Sequence, residues 1–172
     1  LLDGGRELEM VIDTDFESAY APEYDENLYI DDVVCSYSCM SCRGDEAQEF
    51  YGGISGCKVA RFLKDGEDVG RCLVYECNGI RHFIRIYCQP DYQRDCLYTL
   101  KHNMRPDDLF GRDKYIEGME LETDWTADTP NMYLDGDRYG VSVRNGRLYV
   151  GVDYDWSCKS TGDGCLCDEW ED

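Results

Sequence analysis

The chain has 172 residues, enough for one domain of ordinary size, and 37 acidic against 17 basic side chains give it a net charge of −20. That field excludes nucleic acid and anionic membrane as natural partners and favours basic proteins or cations. Eleven cysteines point to a disulfide framework and hence to a secreted, extracellular protein, with an odd sulfur left over.

The acid is unevenly placed. Residues 1–34 carry −10 and residues 153–172 carry −6, so the middle of the chain is close to neutral. No apolar run approaches the roughly 18 residues of a membrane span, and no membrane insertion is expected. No signal peptide is visible and the first residue is not Met, so the sequence reads as a mature or trimmed fragment.

In chain order, residues 1–34 read as an acidic N-terminal arm or edge strand, and residues 35–172 as a cysteine-rich β domain. Leu8, Met10 and Ile12 alternate with Glu9, Val11 and Asp13, as in a short strand. From Asp15 to Asp32 tyrosines stand among acids and Pro22 disfavours helix, which predicts an extended segment. Its composition resembles the acidic, tyrosine-bearing segments of secreted binding proteins, in which the tyrosines carry sulfate. Tyr20, Glu23, Tyr24, Asp25, Glu26, Tyr29, Asp31 and Asp32 are therefore the candidate partner-binding residues. The alternative is that these tyrosines simply pack on the domain.

Cys35, Cys39 and Cys42 have CxxxCxxC spacing, which resembles the three-cysteine cluster site of radical S-adenosylmethionine enzymes. Those enzymes need a long alternation of strands and helices, whereas this chain shows hairpins, so the cysteines are assigned to disulfides and no cofactor or metal is expected. The disulfide candidates are Cys35, Cys39, Cys42, Cys57, Cys72, Cys77, Cys88, Cys96, Cys158, Cys165 and Cys167.

Residues 45–51 predict a short helix ended by Gly52-Gly53, and residues 57–63 a strand followed by an Asp65-Gly66 turn. Asn78-Gly79, between two runs of β-formers, predicts a type I′ hairpin over 72–88. Its register would pair Cys77 with Ile80, Tyr75 with His82 and Leu73 with Ile84. Leu73, Tyr75, Cys77, Ile80, His82, Ile84 and Ile86 would then form the core face. Residues 95–103 fit a helix or a strand, and Pro106 opens a potential helix. A second Asn-Gly pair at 145–146 predicts a hairpin over 139–153 that pairs Val143 with Leu148 and Val141 with Val150.

The expected fold is thus mostly β: a disulfide-stapled antiparallel sandwich or small barrel with long loops and one or two short helices. No P-loop, GxGxxG, HExxH or complete GxSxG is present. Asp135-Gly136 and Asp153–Asp155 look like calcium loops but lack the EF-hand spacing. With no catalytic residue identified, the leading expectation is a secreted non-enzymatic protein that recognises or sequesters a basic protein, of cytokine, chemokine or protease-exosite kind. A pathogen or parasite effector acting on a host fits the same description. The alternatives are a carbohydrate-binding module that uses exposed aromatics, or a secreted hydrolase with a carboxylate pair.

Overall fold

A computed structural model of the chain describes residues 5–24, 28–30, 32–35, 44–111, 120–122, 141–144 and 147–150. The described residues are mostly strand. The elements run β1 (Glu9–Asp13), α1 (Phe16–Tyr20), β2 (Leu28–Ile30), β3 (Val33–Cys35), α2 (Gly44–Gly52), β4 (Cys57–Lys64), β5 (Glu67–Cys77) and β6 (Ile80–Cys88). A short 3-10 turn, Pro90–Tyr92, leads into α3 (Gln93–Asn103), followed by β7 (Leu109–Phe110), β8 (Glu120–Glu122), β9 (Val141–Arg144) and β10 (Arg147–Val150).

The large sheet has the order β1-β4-β5-β6-β3-β2, with β7 also on β6. Its centre is the antiparallel meander β4-β5-β6, joined by two tight turns. Asp65 and Gly66 have φ of 51° and 83°, and Asn78 and Gly79 have 54° and 79°. Both turns are left-handed, as two-residue hairpin loops that match strand twist require. β5 begins at Glu67, immediately after the first turn. β3 and β7 both run parallel to β6, at its two ends. The sheet is therefore mixed and open, which departs from the expected antiparallel sandwich or closed barrel.

The hairpin register holds from Cys77↔Ile80 to Val74↔Phe83, and then a bulge shifts it, so that Cys72 pairs with Ile86 and Arg71 with Tyr87. One extra residue on β6 reverses the faces beyond it. Ile86, expected beside Leu73, instead joins Cys72, Val74 and Phe83. The face expected to be peripheral is itself core. Cys72, Val74 and Phe83 are buried there with Ala60 and Phe62 of β4, under Cys96 and Leu100 of α3. The opposite face, with Arg71, Leu73, Tyr75, His82 and Ile84, is buried as well. There Phe16 and Tyr20 of α1 pack with Tyr51 of α2, ring centroids 5.5 and 5.4 Å apart. Among the described residues it is helices that cover the two faces of this sheet, a layering usual for sheets with parallel pairs.

α1 forms where an extended arm was expected. Asp15 caps it, its carboxylate accepting from the Ser18 N–H (3.1 Å) and hydroxyl (2.8 Å). Pro22 lies beyond the helix end and does not disturb it. Residues 93–103 resolve as helix, with Asp95 in the first turn and Lys101 and His102 in the last, as the helix dipole favours. Pro106 opens no helix, because its segment leads directly into β7. The second hairpin has the expected pairs Val143↔Leu148 and Val141↔Val150, and β8 adds a third strand through Leu121↔Leu148. Tyr139 and Val152 lie outside the described residues.

Candidate functional site

The acidic N-terminal segment is woven into the domain. β1 pairs with β4 over five positions, and the backbone N–H of Leu8 donates to Thr99 Oγ1 of α3 at 2.7 Å. Its tyrosines divide into two groups. Tyr20 and Tyr24 point inward and are buried. Between them lies Arg71 of β5, at 0 % exposure, its guanidinium carbon 4.3 Å from the Tyr20 ring centroid, 4.9 Å from Tyr87 and 5.8 Å from Tyr24. Three ring faces thus surround one buried guanidinium, an arrangement in which each quadrupole attracts the cation more strongly for the loss of water. Burial also pushes the Tyr24 phenol above its ordinary range, so it stays neutral.

Tyr29 points outward. It is 58 % exposed on β2, next to the exposed Leu28, and β2 ends the sheet among the described residues. Arg85 lies 5.8 Å from both the Tyr29 and Tyr87 rings, and Asp32 Oδ1 is 3.8 Å from its Nε. Glu23 is exposed close by in sequence. Asp25, Glu26 and Asp31 lie outside the described residues. Of the eight candidate residues, then, Tyr29 and Glu23 form surface, Asp32 is half-buried, and Tyr20 and Tyr24 belong to the interior.

The missed residue is Arg71, and a signal for it existed. In strict alternation Arg71 falls on the same face as Leu73 and Tyr75, the face read as core. A buried arginine demands electron-rich neighbours, and the sequence offers tyrosines for them at 20, 24 and 87.

The described carboxylates that converge do so on arginines. Arg61 donates to both oxygens of Asp68 (3.0 and 2.9 Å) and to Asp13 (3.1 Å), with Asp15 at 3.7 Å. The Ser18 backbone N–H, the Ser18 hydroxyl and Arg61 together hold the Asp15 carboxyl below its usual range. Burial pushes Asp108 up, but Arg81 (2.6 Å), the Arg105 N–H (2.8 Å) and their charges outweigh it and hold this carboxyl low as well. A glycosidase acid needs the opposite shift. Asp135, Asp153 and Asp155 lie outside the described residues.

His82 is buried, its Nε2 2.9 Å from the carbonyl oxygen of Gly111, and burial lowers its pKa. Its ring meets Tyr75 edge-on at 6.1 Å. His102 is exposed and stacks on Tyr98 at 5.7 Å.

No two described cysteines stand at disulfide distance, and Cys35, Cys57, Cys72, Cys88 and Cys96 are all buried. The expected stapling is therefore not seen among them. Cys39, Cys42, Cys158, Cys165 and Cys167 lie outside the described residues, as does the side chain of Cys77. Among the described residues no three His, Cys, Asp or Glu side chains are placed so that they could hold a metal ion. Comparison with protein families, with curated proteins and with solved structures finds no match.

Proposed function

We propose that the protein is a secreted, non-enzymatic binding protein whose acidic N-terminal surface takes a basic protein, in the manner of a cytokine or chemokine binder, an exosite ligand or an effector acting on a host. The observation that carries this reading is Tyr29: an aromatic side chain 58 % exposed on an edge strand, within the segment that concentrates −10 of the chain's charge. The other two tyrosines of that segment are buried, so the exposure of Tyr29 stands out. Large exposed aromatics inside a charged rim are the composition of binding hot spots. Long-range charge would speed encounter, and the ring would slow dissociation.

Because the segment also supplies β1, α1 and the buried Tyr20 and Tyr24, deleting it would remove core, and point variants are the proper probe. Binding to a panel of basic secreted proteins is measured at low and moderate salt for the parent, Tyr29→Ala and Glu23→Gln. Tyr29→Ala is expected to weaken the best binder about tenfold, and Glu23→Gln to flatten the salt dependence with little other effect. Binding that ignores both salt and Tyr29 would overturn the reading. A carbohydrate partner is favoured by the exposed Tyr98, stacked on His102, and would be marked by salt-independent binding on a glycan array.

A further inference from the structure

Three of the buried sulfurs meet at one point. Val33 pairs with Ile86 and Val34 with Tyr87 across the parallel strands β3 and β6. Continuing that register sets Cys35 beside Cys88, and their Sγ atoms are 4.0 Å apart. Cys96, on the first turns of α3, reaches the same Cys88 sulfur from the helix layer. All three residues are fully buried. Room for them comes from Gly70, paired with Cys88 on the neighbouring strand. A Cβ at Gly70 would stand 2.8 Å from Cys96 Sγ and 2.9 Å from Cys88 Cβ.

We propose that Cys35 and Cys88 form a disulfide while the chain folds, that Cys96 stays a thiol, and that the closed core then fixes this state. The strand pair has the right spacing. Adjacent strands lie about 4.8 Å apart, inside the Cα separation of roughly 4.4–6.8 Å that disulfides span. Cys96 belongs to a different layer and competes for the same sulfur without that register. The inference concerns the protein's own chemistry and does not depend on the identity of any partner.

The oxidant is a small-molecule disulfide such as glutathione disulfide. One cysteine thiolate attacks it, giving a mixed disulfide and releasing one glutathione. The second cysteine thiolate attacks the protein sulfur of that mixed disulfide and releases the other glutathione. The protein loses two electrons and two protons, and the oxidant becomes two thiols. Each step needs a thiolate and access to it. The unfolded chain offers both. In the fold the site has no exposure, so the exchange stops once α3 covers the sheet.

The test uses the full chain, denatured and reduced, then refolded in a glutathione redox buffer. Remaining thiols are blocked under denaturing conditions, and the protein is cut with chymotrypsin and mapped without reduction. Cleavage after Tyr37, Tyr87 and Tyr92 places Cys35, Cys88 and Cys96 on separate peptides. The expected result is a 35–88 cross-linked peptide with Cys96 blocked, retained in Cys96→Ser and lost in Cys88→Ser. Folded, fully reduced protein placed in the same buffer should form at least tenfold less of that peptide over the same time. A dominant 88–96 peptide, a bond from Cys35 to any other cysteine, or blocked thiols at all three positions in refolded wild-type protein would overturn the proposal. Equal oxidation of the folded protein would overturn the sealing. The wild-type map decides the pairing even if a variant fails to fold.

Discussion

The two faces of the large sheet solve the same problem with different materials. Under α3 the interior is aliphatic, phenylalanine and cysteine side chains, held by non-directional burial. Under α1 and α2 it is tyrosine rings around an arginine and a histidine, held by orientation as well as by area. Strand alternation places the two chemistries one residue apart, at Arg71 and Cys72. The difference teaches that a buried cation can be accommodated by ring faces where burial alone would be costly.

Breaking the contrast at Arg71 should give the largest effect, and the same truncation at its neighbour Cys72 a far smaller one. Arg71→Ala removes the centre of the tyrosine cluster and is expected to cost about 3–5 kcal/mol in urea unfolding, as loss of a large core side chain does. Arg71→Met keeps volume without charge. It should recover only part of that loss, and full recovery would show that the cation is dispensable. Cys72→Ala, on the other face, should cost only about 1 kcal/mol, because it deletes one small buried group.

Next in size is Gly70→Ala, which forces a Cβ against Cys96 Sγ and Cys88 Cβ. Overpacking of this kind costs about 1–3 kcal/mol. Adding Cys96→Ala should return part of it, a coupling visible in a double-mutant cycle.

Acid should discriminate between the faces too, since His82 lies on the aromatic one. Its folded pKa is lowered from 6.5 by burial, against the opposing pull of the Gly111 carbonyl and Asp32. The unfolded chain therefore binds the extra proton first. The stability this group contributes is complete above pH 6.5 and is lost as pH falls from there to the folded pKa, by at most about 1.4 kcal/mol per pH unit. His82→Gln should abolish that slope, as followed by urea midpoints across pH 5–7.

The smallest effect belongs to Tyr29→Ala, which should change stability by no more than about 0.5 kcal/mol, as exposed substitutions do. That residue would thereby be separated from Tyr20 and Tyr24, whose truncation to Ala should cost several-fold more in the same measurement.

Local chemistry was legible wherever it determined the outcome. Two Asn-Gly pairs set their hairpins, and the alternation Leu8-Met10-Ile12 marked β1. What escaped the sequence was decided by tertiary context. The bulge in β6 carries no residue signature, yet it exchanges the faces that strict alternation gives Ile86 and Tyr87. Residues 95–103 fit either period, and packing on β3 and β6 makes them helix. Residues 15–24 hid a capped helix behind Pro22, which proved to be a stop signal and not a veto. Within the candidate site, the tyrosine-and-acid pattern was readable, but which rings would turn inward depended on Arg71, more than forty residues away.

The order of the strands has a consequence for synthesis. β1 needs β4, and the β2-β3 pair needs β6, so β1 has no partner until residue 64 has been made and β2-β3 joins no sheet until residue 88. The meander closes its own local turns first, since short loops form fastest. Until then Val33 and Val34 are carried on a strand without its sheet partner, the sort of sequence that aggregates. The charge of −10 across residues 1–34 keeps copies of that stretch apart on neighbouring chains during the wait.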